Sequence, residues 1–288
     1  MGHSTAYEVE SLVARIGEYA LGHQLPTPND ASLQLFSLVC HRDVLYYLSA
    51  VRSFIRASGL RCSVLIMSDG TLTPSDVSVL RSELPNARIR SAESDRSGPF
   101  IKSSPGLRRF VSEHPLGRKL VGALRYATAP NLILLDCDVL FLRRPEVILE
   151  WACSSESYSL FGRDSRPESC SLDTESQRAL RVNIARYFNS GLLCVRRTSL
   201  NIALAEQVIS YLYSIGAGNK WVWEQTAFAA MVGKGQHRSL PGDYLFVNDA
   251  NLEDTRDLAH LSAVHYSGTA RPYFFTEGVK FLMSRSAV

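Results

Sequence analysis

The feature that most constrains this chain is an alternation in its first third. Short apolar runs of strand length are separated there by segments of helical period. Leu33 to Cys40 (LQLFSLVC) reads as a buried strand, His41-Arg42-Asp43 as a short turn, and Val44 to Ser58 as a helix stopped by Gly59. Cys62 to Met67 is a second strand, ending in Ser68-Asp69-Gly70. Thr73-Pro74 opens another helix with an N-cap residue and a proline in its first turn, and Ala87 to Ile89 is a third strand candidate. Strands joined through helices pair in parallel, so the pattern predicts an α/β fold: a mainly parallel central sheet flanked by helices. Ligands of such sheets bind beyond the carboxyl ends of the strands, which is where chemistry is to be sought.

With 288 residues the chain reads as a single catalytic domain over 1–288. Residues 1–30 are expected to form an N-terminal helical extension, from the helical spacing of 7–20. Residues 92–115, rich in Gly, Ser and Pro, are expected to be a flexible loop. Between Arg81 and Arg125 stand ten basic residues against four acidic ones, which suggests a cover over an anionic diphosphate or acceptor. The net charge of +3 gives no reason to expect nucleic acid as a partner. No stretch has the length and apolarity of a membrane span or a signal sequence. The expectation is therefore a cytoplasmic enzyme, with peripheral membrane contact left open. The six cysteines form no C-x-x-C pair and several sit in apolar runs, so they read as reduced, structural thiols.

Downstream, further strands are expected at Asn131 to Leu135, Ser157 to Phe161, Gly191 to Val195 and Leu261 to Tyr266. Helices are expected after Pro115, after Pro145, over 199–213 and from Glu224 to Val232. Four motifs lie at the ends of these elements. In NLILLDCDVLFL an apolar strand runs into Asp136 and Asp138, whose i, i+2 spacing in extended backbone turns both carboxylates to one side. Two carboxylates beyond a buried strand repel each other unless they share a cation, and hard ions such as Mn²⁺ or Mg²⁺ suit them. In YFNSGLLCVRR, Asn189 can donate and accept hydrogen bonds, and the glycine after Ser190 permits close approach of a ligand. In WVWEQTAFAAM, Glu224 and Gln225 open a helix. In VHYSGTARPYF, His265 offers an imidazole to the same ion, Gly268 allows a sharp turn, and Arg271 supplies a fixed cation for a diphosphate.

The order D-x-D, F-N-S-G, acid-Gln, then H-x-x-G-x-x-R-P-Y resembles the retaining glycosyltransferases of family 8, over roughly residues 33–275. That resemblance implies the nucleotide-diphospho-sugar transferase (GT-A) fold and transfer of a hexose from a UDP-sugar, dependent on Mn²⁺ or Mg²⁺, to an acceptor that the sequence does not identify: glycan, lipid-linked, peptide or small molecule. It implies Asp136, Asp138 and His265 as metal ligands, and Gly268 and Arg271 as binders of the diphosphate. Asn189, Ser190 and Asp164 would lie at the donor sugar, and Lys119, or its neighbour Arg118, would be the basic residue that precedes the D-x-D motif. Gln225 would lie near the anomeric carbon, with Glu224 in place of the family's usual Asp. The N-terminal run CHRDVLYY departs from the pattern. Asp43 stands for the nucleobase carboxylate, Val44 replaces the expected aromatic, and Tyr46 or His41 is left to compensate. Two other readings compete: a phosphatase of the haloacid dehalogenase type, with Asp243 and Asp249 of GDYLFVND as its second acidic motif, and a nucleotide-sugar-binding protein without catalysis.

Overall fold

The computed structural model describes residues 32–91, 103–167, 169–248 and 251–286. The helical extension expected over 1–30, residues 92–102 of the expected loop, and Asp249 lie outside the described residues. The first third folds as its alternation predicts. Strand β1 (Leu33–Val39) leads through a tight turn (His41–Asp43) into helix α1 (Val44–Ser58). Then come β2 (Ser63–Ser68), α2 (Pro74–Glu83) and β3 (Arg88–Arg90). Gly59 ends α1 at φ 66°, a left-handed conformation that glycine adopts without steric cost. Helix α2 starts on a capping box in which Thr73 and Asp76 satisfy each other's backbone N–H.

Helices α3 (Pro105–Glu113) and α4 (Pro115–Tyr126) follow, then β4 (Asn131–Leu135), β5 (Val139–Phe141), α5 (Glu146–Cys153) and β6 (Tyr158–Arg163). The chain continues through α6 (Thr174–Leu180), β7 (Phe188–Arg196), α7 (Ile202–Ser214), α8 (Trp223–Val232), β8 (Gln236–Ser239), β9 (Tyr244–Val247), β10 (Ala263–Tyr266) and α9 (Lys280–Ser286). The second half of the segment expected to be loop, 92–115, is therefore mostly helix. Pro105 sits in the first turn of α3, and the Glu206 carboxylate accepts from the N–H groups of Gly106 and Leu107, both at 2.8 Å. That cap comes from α7, a hundred residues away, so local composition does not reveal it.

Seven strands form the main sheet in the order β3-β2-β1-β4-β7-β6-β8, all parallel except β7, which is antiparallel to both its neighbours. Alternate residues of each strand feed opposite faces. Phe36, Leu132 and Leu134 pack with Phe110, Leu120, Val208 and Phe228 from α3, α4, α7 and α8. Leu35, Ile133 and Leu135 pack with Tyr47, Phe54, Leu80 and Trp151 from α1, α2 and α5. A second sheet, β5-β10-β9, pairs β10 antiparallel to β5 with His265 opposite Val139. Strands β5 and β8, helix α6 and the helical tail after Tyr273 were not anticipated from the sequence; β5 and β8, at three and four residues, are too short for a period to register. Among the described residues no helix is long and apolar enough to cross a membrane.

Candidate active site

The site forms where β4 ends. Strand β4 is buried on both faces, and the Asp136 N–H donates to Gly191 O on neighbouring β7 at 2.7 Å, which holds the chain at the sheet as it leaves the strand. Cys137 turns inward and is buried, and burial holds its thiol well above the ordinary range, so it takes no part as a thiolate. The β5–β10 ladder then solves a long-range problem. It places His265 beside Asp138, 127 positions away in sequence, and the Tyr266 N–H donates to Asp138 O at 2.9 Å. Asp136, Asp138 and His265 each offer a ligand atom, and these atoms all lie within 4.8 Å of one another.

The donor set suits a divalent ion: two hard carboxylate oxygens and one imidazole nitrogen. The surroundings suit it too. Asn189 Oδ1 accepts from the Gly191 N–H at 2.9 Å and lies 3.1 Å from His265 Nδ1. An acceptor at Nδ1 places a proton there and leaves Nε2 to face Asp138, 3.1 Å away, where an ion would bind. Phe246 packs edge-on against the imidazole at 5.2 Å between centroids. Burial opposes charge on both Asp138 and His265. Their hydrogen bond overrides it, holding the carboxyl below its usual range and the imidazole above its own, with Arg271 adding to the effect on Asp138.

Two protein cations stand against the two aspartates. Lys119, on α4, is 2% exposed and reaches Asp136 Oδ1 at 2.7 Å and Glu224 Oε1 at 3.2 Å. Burial alone would discharge it, but the two carboxylates more than offset that and keep it above the ordinary lysine range. Glu224, 1% exposed, is pushed upward by burial, only partly countered by Lys119, and takes a hydrogen bond from Ser190 Oγ at 2.9 Å. Gln225 accepts from the Ser190 N–H at 3.1 Å and donates to Ser169 O at 2.7 Å. Ser190 thus bridges β7 to the first turn of α8 and fixes both Glu224 and Gln225.

Arg271 sits on the other aspartate, with Nε 3.1 Å from Asp138 Oδ2 and Nη2 donating to Asp43 Oδ1 at 2.6 Å. Its guanidinium lies 4.6 Å from the centre of the Tyr46 ring. Gly268 makes the turn before it at φ 58°. Asp164 joins the cluster through Asn189, whose Nδ2 donates to its Oδ2 at 3.3 Å.

The structure thus gathers Asp136, Asp138, His265, Lys119, Glu224, Gln225, Asn189, Ser190, Asp164, Arg271 and Asp43 into one connected network. Of the residues left to compensate at the nucleobase, Tyr46 is covered by Arg271 and packs against Phe274 and Phe275, and His41 is drawn to Asp76 at 2.7 Å. Sequence reasoning missed Ser169, which anchors Gln225, and Phe246, which backs His265. Neither carries a local signal, since their partners are 56 and 19 positions away.

No protein family and no curated protein sequence matches this chain. Solved structures do. The galactosyltransferase LgtC, in complex with donor and acceptor sugar analogues, matches with a TM-score of 0.56 at 13% identity, over 88% of this chain and 95% of that one. The fold is GT-A. The glycosyltransferase GlyE of Streptococcus pneumoniae matches at a TM-score of 0.51 and 12% identity, over 88% of this chain and 63% of that one. The bifunctional glycosyltransferase WbbM gives the same TM-score and identity over 90% and 50%. The phosphatase reading does not agree with this fold, and Asp243 of its second motif is engaged by Ser262. Identities this low establish the GT-A architecture, and the chemistry rests on the site.

Proposed function

We propose that this protein is a metal-dependent glycosyltransferase, akin to the retaining enzymes of family 8, that moves a hexose from a UDP-sugar to an acceptor. The observation that carries the reading is the meeting of Asp136, Asp138 and His265 within 4.8 Å at a strand end of a GT-A fold. These three would hold Mn²⁺ or Mg²⁺, which as a Lewis acid stabilises the negative charge that develops on a departing diphosphate.

The chain's own residues supply the rest. Asn189 fixes the imidazole tautomer and, with Asp164, presents hydrogen-bonding groups for sugar hydroxyls. Arg271, which pairs with Asp138 and Asp43, would supply fixed positive charge for the diphosphate, with Gly268 shaping the turn that carries it. Lys119 keeps a fixed positive charge under the site, locked by Glu224 and Ser190. Gln225 is held at the sugar end by Ser190 and Ser169. Among the described residues no side chain is placed as an obvious covalent nucleophile, which favours attack by the acceptor from the leaving-group side and retention of configuration. Asp43 would reach the nucleotide through Arg271 rather than as a free carboxylate.

The test is release of UDP from a panel of UDP-sugars with Mn²⁺, followed by NMR of the glycoside formed. Wild type is expected to turn over at least one donor, and Asp138→Asn to be slower by on the order of 10²–10³-fold. Absence of UDP release from every donor, or release indifferent to Asp138→Asn, overturns the reading. An inverted anomeric centre overturns retention alone.

A further inference from the structure

The basic stretch over 81–125 divides in the folded chain. Lys119 goes to Asp136 and Arg109 to Glu113, but Arg88, Arg90 and Arg125 go elsewhere. With Arg197 they converge on three consecutive residues at the end of α4. The guanidinium carbons of Arg90 and Arg125 lie 5.1 and 5.0 Å from the centre of the Tyr126 ring. Arg197 Nη1 donates to Ala127 O at 3.3 Å, and Arg88 Nη2 donates to Thr128 Oγ1 at 3.0 Å. The four arginines come from three places: β3, the last turn of α4, and the turn that follows β7. Arg88 and Arg90 are two apart on β3, the outermost strand among the described residues, so they share one face of it.

The end of a helix attracts cations, but its dipole amounts to only about half an elementary charge. One arginine matches that, and four exceed it several-fold. Among the described residues no carboxylate pairs with Arg88, Arg90 or Arg197, and all three are exposed. Their partners are a hydroxyl, an aromatic ring and a carbonyl, so the excess positive charge is open to something outside the chain.

The cluster lies at the other end of the sheet from the metal network. The Arg197 N–H donates to Pro130 O at 2.8 Å, just before β4 begins. Asp136 follows six residues later, about 20 Å along extended backbone. An anion bound here is therefore not the diphosphate of a donor. Closely set guanidiniums suit phosphates. The exposed large hydrophobics are Leu45, Val79, Ile202, Ile215, Trp221 and Tyr273, and none belongs to β3 or to residues 125–130. The cluster thus offers charge without the apolar centre of a stable protein interface, which suits a surface of phosphate headgroups better than a folded partner.

We infer that Arg88, Arg90, Arg125 and Arg197 form a docking surface for a bilayer rich in anionic phospholipid. Docked there, the chain keeps the carboxyl end of its sheet, where Asp136 and His265 meet, turned away from the lipid. The inference goes beyond the glycosyltransferase reading and does not depend on it, since docking needs no donor, metal or turnover.

The test sediments the full chain with vesicles of phosphatidylcholine alone, or of phosphatidylcholine mixed equally with phosphatidylglycerol. Wild type is expected to bind the mixed vesicles and not the neutral ones. Raising salt from about 0.05 M to about 0.3 M should weaken that binding by screening. The triple variant Arg88→Gln/Arg90→Gln/Arg197→Gln should lose about a hundredfold in affinity, at about fivefold for each charge. The lysine triple at the same positions keeps the charge and should stay within about fivefold of wild type. Arg108→Gln/Arg144→Gln/Arg238→Gln removes as much charge from exposed positions outside the cluster and should lose less than about fivefold. No binding to the mixed vesicles, equal binding to the neutral ones, or equal losses in the two glutamine triples overturns the inference. So does a lysine triple that loses as much as the glutamine triple at the same positions, because the arginines would then serve the fold and not the lipid.

Discussion

The imidazole of His265 occupies the space that a side chain at Gly191 would need: a Cβ there would lie 2.1 Å from His265 Cε1. The backbone of Gly191 is ordinary strand, so its lack of a side chain serves this contact and not an unusual φ. Gly191→Ala should push the ring away from Asn189 and Asp138 and misplace one metal ligand of three. Mn²⁺ affinity, followed by electron paramagnetic resonance titration, is expected to fall by about 10–100-fold while circular dichroism stays native. Wild-type affinity in this variant would show that His265 is not a ligand.

The buried pair Lys119–Glu224 carries a different consequence. Removing only the lysine leaves the Glu224 carboxylate, already strained upward by burial, without its cation. Lys119→Met should therefore cost about 3–5 kcal/mol in urea denaturation. Adding Glu224→Gln should recover part of that loss, because the amide takes the Ser190 hydrogen bond without a buried charge. If the two losses simply add, the pair is not coupled.

Much of this site was legible in the sequence because each piece sits at the end of a locally coded element. Asp136 and Asp138 follow an apolar run, Glu224 and Gln225 open a helix, and Gly268 marks its own turn. What was hidden depends on distant partners. Nothing near Asp43 says that Arg271 will claim it, and nothing near Pro105 says that Glu206 will cap the helix there. That cap yields a test. Glu206→Ala leaves the N–H groups of Gly106 and Leu107 without their acceptor and should destabilise the fold by about 1–2 kcal/mol, read as a lower melting temperature. Glu206→Gln, which keeps one acceptor oxygen, should lie between.

The ion pairs of Glu113 with Arg109 and Lys220 should show themselves through pH. Hydrogen bonds from Arg109 and then Lys220 pull the Glu113 carboxyl down from 4.5 to about 2. A carboxyl depressed in the folded state binds its proton more readily when unfolded. Its stabilising contribution is therefore complete above about pH 4.5 and fades as pH falls toward 2. The side chain is 32% exposed, so solvent screens the effect and the gap to Glu113→Gln at neutral pH should be small, roughly 1–2 °C in melting temperature. Paired thermal melts at pH 7, 5, 4 and 3 are expected to show a constant gap at the first two values and a shrinking one at the last two. A gap that persists unchanged at pH 3 would mean that the ion pairs with Arg109 and Lys220 do not hold the carboxylate.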